Sequence, residues 1–115
     1  MNTIFINDKF TKARGGYSEL LNIHCRKCDA QICTYQKDGP GDLLRMYDDR
    51  IIKSDGFQKF VIDKKLICPS CGKNIGPGYI YKPENRNAYA LFMGAVKKKP
   101  VSRIRHIKCL LRNIF

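Results

Sequence analysis

Four of the chain's six cysteines fall in two pairs of identical spacing, Cys25-Arg26-Lys27-Cys28 and Cys68-Pro69-Ser70-Cys71. Two intervening residues let both thiolates of a pair face one ion while backbone N–H groups turn toward the sulfurs. Two such hairpin tips facing each other supply four thiolates in tetrahedral array, the arrangement that suits a structural Zn²⁺. Four thiolates also close the coordination shell. No position is left for a water, so zinc-assisted hydrolysis is disfavoured. Iron accepts the same ligands, but the basic balance of the chain and the make-up of the first pair argue against an electron carrier. A redox dithiol would require each pair to act alone. The expectation is one structural Zn²⁺ held by Cys25, Cys28, Cys68 and Cys71.

The two pairs are not equal. Pro69 stiffens the second, and Gly72 after it can take the left-handed backbone conformation. The first is followed by Asp29, which tolerates that conformation with less ease. Cys68 to Gly72 resembles the knuckle common to zinc ribbons and rubredoxins. The 39 residues from Asp29 to Ile67 exceed the about 15–20 that separate the pairs of a compact ribbon. The spacing is therefore similar to a zinc ribbon carrying a long excursion. It also resembles the β-tent arrangement of Yippee-like domains, in which two such pairs clamp longer β-sheets. The likeness covers the knuckles and their overall spacing only.

The remaining candidates read as structural. Cys33 lies within a strand signal and is expected to be buried packing. Cys109, among C-terminal cations, is expected to be inert. His24 precedes the first pair, but the complete cysteine quartet argues against its being a ligand. His106 reads as a polyanion contact. Asp48-Asp49-Arg50 reads as an exposed charge cluster, and with Glu84 these acids look scattered. No Ser/His/Asp set and no phosphate-cradling glycine loop is present, so the chain is expected not to be an enzyme and to have no small-molecule substrate.

The elements that would position the cysteines are short and mostly extended. Ile4-Phe5-Ile6 has the character of a strand, and Lys12-Ala13-Arg14-Gly15-Gly16 that of a turn or loose arm. Gln31–Tyr35 alternates and is β-branched and aromatic, which predicts a strand. Asp38-Gly39-Pro40-Gly41 is a turn leading to Leu43–Tyr47, which is too short to assign. Ile51-Ile52 begins another strand, Ser54-Asp55-Gly56 turns, Phe57–Ile62 reads as a strand, and Leu66-Ile67 leads into the second pair. Tyr79-Ile80-Tyr81 reads as a strand, and Ala88–Val96 as the last core element, of ambiguous period. Strand signals and Gly/Pro turns dominate. The fold class expected is mainly β, a small α+β domain whose antiparallel sheet is clamped by zinc knuckles.

Charge sets the C-terminus apart. The chain of 115 residues carries a net charge of +12, from 22 basic and 10 acidic residues. Seven of the basic residues (Lys97, Lys98, Lys99, Arg103, Arg105, Lys108 and Arg112) lie in residues 97–115, which contain no acid. More than half of the excess charge is thus in this segment. Pro100 suits the first turn of a helix, and Val101, Ile104, Ile107, Leu111 and Ile114 would share one face. Residues 1–96 are therefore read as a zinc-binding β domain and 97–115 as a basic amphipathic tail with a C-terminal helix.

A positive field of this size attracts polyanions. The first expectation is a nucleic-acid-binding module that contacts the RNA or DNA backbone. Arg26, Lys27, Lys97, Lys98, Lys99, Arg103, Arg105, Lys108 and Arg112 would be the contacts, extended by Lys12, Arg14, Lys64 and Lys65. Tyr17, Tyr35, Tyr79 and Tyr81 are available to stack on bases, although sheet core is the commoner fate of such tyrosines. The alternatives are a protein-interaction or scaffold zinc domain without nucleic acid, and an adaptor whose basic tail lies on an anionic membrane surface. Met1–Phe10 is too short and mixed for a secretory signal, and no apolar run is long enough to cross a bilayer. Paired cysteines in a reducing compartment favour metal over disulfide, so a cytoplasmic location is expected.

Overall fold

A computed structural model describes residue 6, residues 8–53 and residues 56–101. Strands dominate it: β1 (Ser18–Cys25), β2 (Gln31–Asp38), β3 (Arg45–Tyr47), β4 (Ile51–Ile52), β5 (Lys65–Ile67), β6 (Asn74–Tyr81), β7 (Arg86–Ala90) and β8 (Val96–Pro100). They form two antiparallel four-stranded sheets, ordered β4-β2-β1-β8 and β3-β7-β6-β5. The mainly β expectation holds.

The sheets pack through alternate residues, as a period of two requires. Leu21, Ile23 and Cys25 of β1 are buried, with Leu21 and Ile23 standing opposite Tyr35 and Cys33 of β2. The second sheet adds Met46, Leu66, Ile75 and Tyr89 to the same core. Tyr35 ties the layers together, because its hydroxyl accepts a 2.9 Å hydrogen bond from the backbone N–H of Tyr47.

Several local expectations change. A short helix, α1 (Lys9–Ala13), occupies part of the segment read as a turn or arm. The Asp8 side chain caps the N–H groups of Phe10 and Thr11, and Thr11 Oγ1 reaches back to the Asp8 N–H. Phe57–Ile62 is not a strand. Phe57 and Phe60 both pack on the core, and a spacing of three cannot put two side chains on one face of a strand. Gln58 instead serves the edge of β5 with its amide, donating to Lys65 O at 2.8 Å and accepting from Ile67 N at 3.2 Å. Ala88–Val96 is not one element: β7 ends at Ala90, Gly94 turns with φ 72°, and β8 begins at Val96. Lys97, Lys98, Lys99 and Pro100 are accordingly strand, paired with His24, Ile23, Asn22 and Leu21 in the order Lys97–His24, Lys98–Ile23, Lys99–Asn22, Pro100–Leu21. The expected helix, Ile4-Phe5 and Ser54-Asp55 lie outside the described residues.

Arg50, read as exposed, is one of the most buried side chains in the structure. It donates to Asp38 Oδ2 at 2.8 Å, to Asp8 Oδ1 at 2.7 Å and to Thr11 Oγ1 at 3.2 Å. Arg50 thereby joins α1 to the end of β2 and holds the Asp8 carboxyl down at about 2. Beside it Arg86 donates to Asp49 at 2.6 Å and to Glu84 at 3.1 Å, between the rings of Phe10 and Tyr47. Arg14 grips Glu84 with two bonds of 2.7 and 2.8 Å and reaches the Tyr47 hydroxyl at 3.0 Å. Of the acids that look scattered in sequence, Asp49 and Glu84 are thus counter-charges of arginines, while Asp48 pairs with Lys53 at 3.1 Å.

A buried ion pair is expensive to break from one side, because the stranded charge keeps its desolvation cost. Asp38 has a 4% exposed side chain, so it cannot turn to water when Arg50 is lost. Arg50→Met is expected to destabilise the zinc-loaded domain by about 3 kcal/mol in urea unfolding. A change within about 0.5 kcal/mol would show that the network carries little of the stability.

Candidate metal centre

Each sheet delivers one cysteine pair at the same end of the molecule. Cys25 closes β1 and Cys28 lies in the turn to β2, while Cys68 follows β5 and Cys71 lies in the turn to β6. The two turns have the same hydrogen bonds. The N–H of Cys25 donates to Ala30 O and that of Cys68 to Lys73 O, both at 2.9 Å. The N–H of Asp29 donates to Cys25 O at 2.8 Å and that of Gly72 to Cys68 O at 3.0 Å. Asp29 takes φ 65° and Gly72 φ 78°, so the aspartate adopts the left-handed conformation that the knuckle demands. In both hairpins the strand register shifts by the knuckle, between Ile23 and His24 and between Leu66 and Ile67.

The four Sγ atoms lie within 4.8 Å of one another, with Cys25–Cys71 and Cys28–Cys68 each at 3.6 Å. Tetrahedral zinc with Zn–S bonds of about 2.3 Å needs sulfurs about 3.8 Å apart. The residues fit one such ion, and the separations are far too long for disulfides. Backbone donors favour the charged sulfurs. The Ala30 N–H lowers the Cys28 thiol to about 7. Burial opposes ionisation of Cys25, but the N–H groups of Cys28 and Lys27 outweigh it and bring that thiol down. The Lys73 N–H likewise favours the Cys71 thiolate, yet burial and the three neighbouring cysteines push this thiol up to about 11. Four clustered thiolates repel one another unless a cation sits among them, which is what a divalent ion supplies. This chain is a small zinc-binding β domain. It matches no known family profile, no curated protein and no solved structure.

The other candidates sort as follows. Cys33 is buried among the core residues, and burial alone pushes its thiol up to about 12. His24 is not a ligand. Its Nδ1 lies 2.9 Å from Asp29 O and 3.7 Å from the Asp29 carboxylate. Cys109, His106, Arg103, Arg105, Lys108 and Arg112 lie outside the described residues.

The structure brings five of the expected basic contacts together at the metal end. Arg26 and Lys27 are exposed on the first knuckle. Strand β8 runs alongside, with the Arg26 guanidinium donating to Val96 O at 3.2 Å. Lys97 and Lys99 project on one face and share Asp29, at 2.8 and 3.4 Å, while Lys98 faces the other way. Arg14 is withdrawn from this surface by its bidentate pair with Glu84, and Tyr35 is core rather than a base platform. Tyr79 and Tyr81 are half-buried against Arg45, and Tyr17 is 52% exposed. Sequence reasoning missed the buried arginines because Asp8 and Asp38, which hold Arg50, and Asp49, which holds Arg86, are remote along the chain from them. The Asp8-x-x-Thr11 capping signal was the available clue to α1.

The metal makes a sharp distinction between cysteines. Cys68→Ser should abolish stoichiometric metal binding and unfold the domain, since ion binding in such sites is folding energy on the order of 10 kcal/mol. Cys33→Ser should keep the metal and cost only a few kcal/mol for a buried hydroxyl. Metal content and circular dichroism of the two variants check this. Metal lost from Cys33→Ser and kept in Cys68→Ser would refute the ligand assignment.

Proposed function

We propose that this domain is a nucleic-acid-binding module that engages the phosphate backbone through the basic surface at its metal end. The reading rests on one juxtaposition: Arg26 and Lys27 on the first knuckle beside Lys97, Lys98 and Lys99 on the adjoining strand. A strand edge holding lysines on both faces, next to a rigid cationic turn, offers charges at fixed spacing. Each phosphate contact releases counterions, so such binding weakens steeply with salt. No base-reading motif accompanies the patch, so the contact is to backbone rather than sequence. The C-terminal segment carries four more basic residues, Arg103, Arg105, Lys108 and Arg112, and no acid. The metal acts structurally, its shell closed by four thiolates, and the module carries no catalysis of its own. Free cysteines at metal-binding spacing suit a reducing compartment. No helix among the described residues is long and apolar enough to cross a membrane. Two sheets that each give one knuckle to a common site support a β-tent-like reading of the cysteine spacing.

A second reading, docking to another protein, draws on a different observation. Leu44, Phe92 and Met93 are 65%, 49% and 102% exposed, and the Leu91 N–H bonds to Leu44 O at 3.2 Å, which brings their loops together. Exposed apolar side chains gathered in this way mark interaction surfaces.

Fluorescence anisotropy of the zinc-loaded protein with labelled RNA and DNA across a salt series separates the two. Binding is expected to fall linearly on a log–log plot. Lys27→Ala and Lys98→Ala should each reduce the slope by about 1, with little change in melting temperature. Binding that is absent at low salt, or unchanged in both variants, would exclude the backbone reading.

A further inference from the structure

Lys37 breaks the rule that Arg14, Arg50 and Arg86 obey. Arg14, Arg50 and Arg86 each face one or more carboxylates within 2.7 Å. Lys37 is only 6% exposed, yet no carboxylate oxygen of a described residue comes within 4.0 Å of its ammonium. Its one hydrogen bond among the described residues runs to Gly39 O at 2.6 Å. An ammonium offers three donors, so two are left over, and a buried charge without a counter-charge costs several kcal/mol.

The strand pattern shows where that charge faces. Cys33, Tyr35 and Lys37 alternate along β2 on the side that meets the second sheet, and Lys37 lies beyond Tyr35, away from the metal. There it lines a cavity of about 220 Å³ together with Arg45 of β3. Arg45 spends its Nε on the Tyr79 hydroxyl at 2.8 Å and stacks over Tyr81 at 4.4 Å, again with no carboxylate of a described residue within 4.0 Å. Two cations from different sheets thus converge on one space, neither of them ion-paired to a described residue, although Asp38 and Asp42 also line it.

The nearby acids do not neutralise them. Asp38 is engaged by Arg50, Ser18 and Gln36. Asp42 is exposed on the lip, and Glu19, opposite Lys37 in register, is exposed as well. Arg14, which also lines the space, is already matched by Glu84. Gly39 holds the loop close: a Cβ there would stand 2.6 Å from Arg14 O. Pro40, Leu43 and Leu44 supply an apolar wall on the same side.

We propose that this cavity is an oxyanion site that takes a small phosphate monoester, its dianionic head between Lys37 and Arg45 and its organic part against Pro40, Leu43 and Leu44. Lys37 supplies a point charge with two free donors, and Arg45 a planar fork, the pair of chemistries that tetrahedral oxyanions use. Two unmatched positive charges select a dianion over the single charge of a backbone diester. The apolar wall and the volume favour a monoester over bare phosphate. The proposal does not depend on the nucleic-acid reading, which rests on the other end of the molecule.

The test is calorimetric and NMR titration of zinc-loaded protein at fixed ionic strength with inorganic phosphate, adenosine monophosphate, and an oligonucleotide lacking terminal phosphates. Saturable one-site binding is expected for the monophosphate, and more weakly for phosphate, with the largest amide shifts at Lys37, Gly39 and Arg45. Lys37→Met keeps the buried stem and removes the charge, so its ligand-free melting temperature should match or exceed that of the parent. Lys37→Met and Arg45→Gln should each weaken monophosphate binding at least about tenfold. Three results would overturn the proposal: no saturable binding up to about 10 mM, undiminished binding by a folded Lys37→Met or by Arg45→Gln, or displacement of the monophosphate by the oligonucleotide.

Discussion

Four thiolates cannot crowd within 4.8 Å of one another without a cation between them, and the rest of the molecule depends on that constraint. Each sheet contributes one hairpin tip, so an ion at the tips joins the two layers by coordinate bonds. A domain of this size has a modest core, and small domains commonly add a metal for that reason. The knuckles are built alike down to their backbone hydrogen bonds, one ending in Gly72 and the other in Asp29. Asp29 does more than a glycine there. Its exposed carboxylate lies 2.8 and 3.4 Å from the Lys97 and Lys99 ammonium groups of β8, beside the metal site.

The opposite end is held by different means. Arg14, Arg50 and Arg86, with Asp8, Asp38, Asp49 and Glu84, bind α1 to strands from both sheets. Two glutamines bond neighbouring backbone with their side chains. Gln36 exchanges 2.8 Å bonds with both the N–H and the carbonyl of Ile6, and Gln58 bonds the carbonyl of Lys65 at 2.8 Å and the N–H of Ile67 at 3.2 Å on β5. The Gln58 amide thereby occupies hydrogen-bonding groups on the open edge of β5 that would otherwise be free to pair with another chain. The molecule is therefore clamped by an ion at one end and by ion pairs at the other, with Tyr35 spanning the layers between them.

The metal site was legible because coordination chemistry imposes a local spacing, and two residues between cysteines is a pattern that few other demands produce. The excess of strands was legible for a similar reason, since alternation and Gly/Pro turns are local. What escaped depends on pairings remote in sequence. Arg50 beside two aspartates looks like a solvated cluster until Asp8 and Asp38 arrive from 42 and 12 residues away. Lys37 looks like any polar strand residue until the second sheet closes over it. Phe57 and Phe60 did carry a warning in their spacing of three, which a strand cannot satisfy. Five residues of α1 are too few to show helical periodicity, and only the cap at Asp8 and Thr11 could have marked it.

The most direct test of the central claim is metal stoichiometry coupled to folding. Elemental analysis of the purified chain should find one zinc per molecule. Stepwise removal by a strong chelator should then melt both sheets together, with far-ultraviolet dichroism falling in proportion to metal lost and returning on readdition. A chain that holds no stoichiometric metal and still unfolds cooperatively, at the same temperature with or without chelator, would contradict the account.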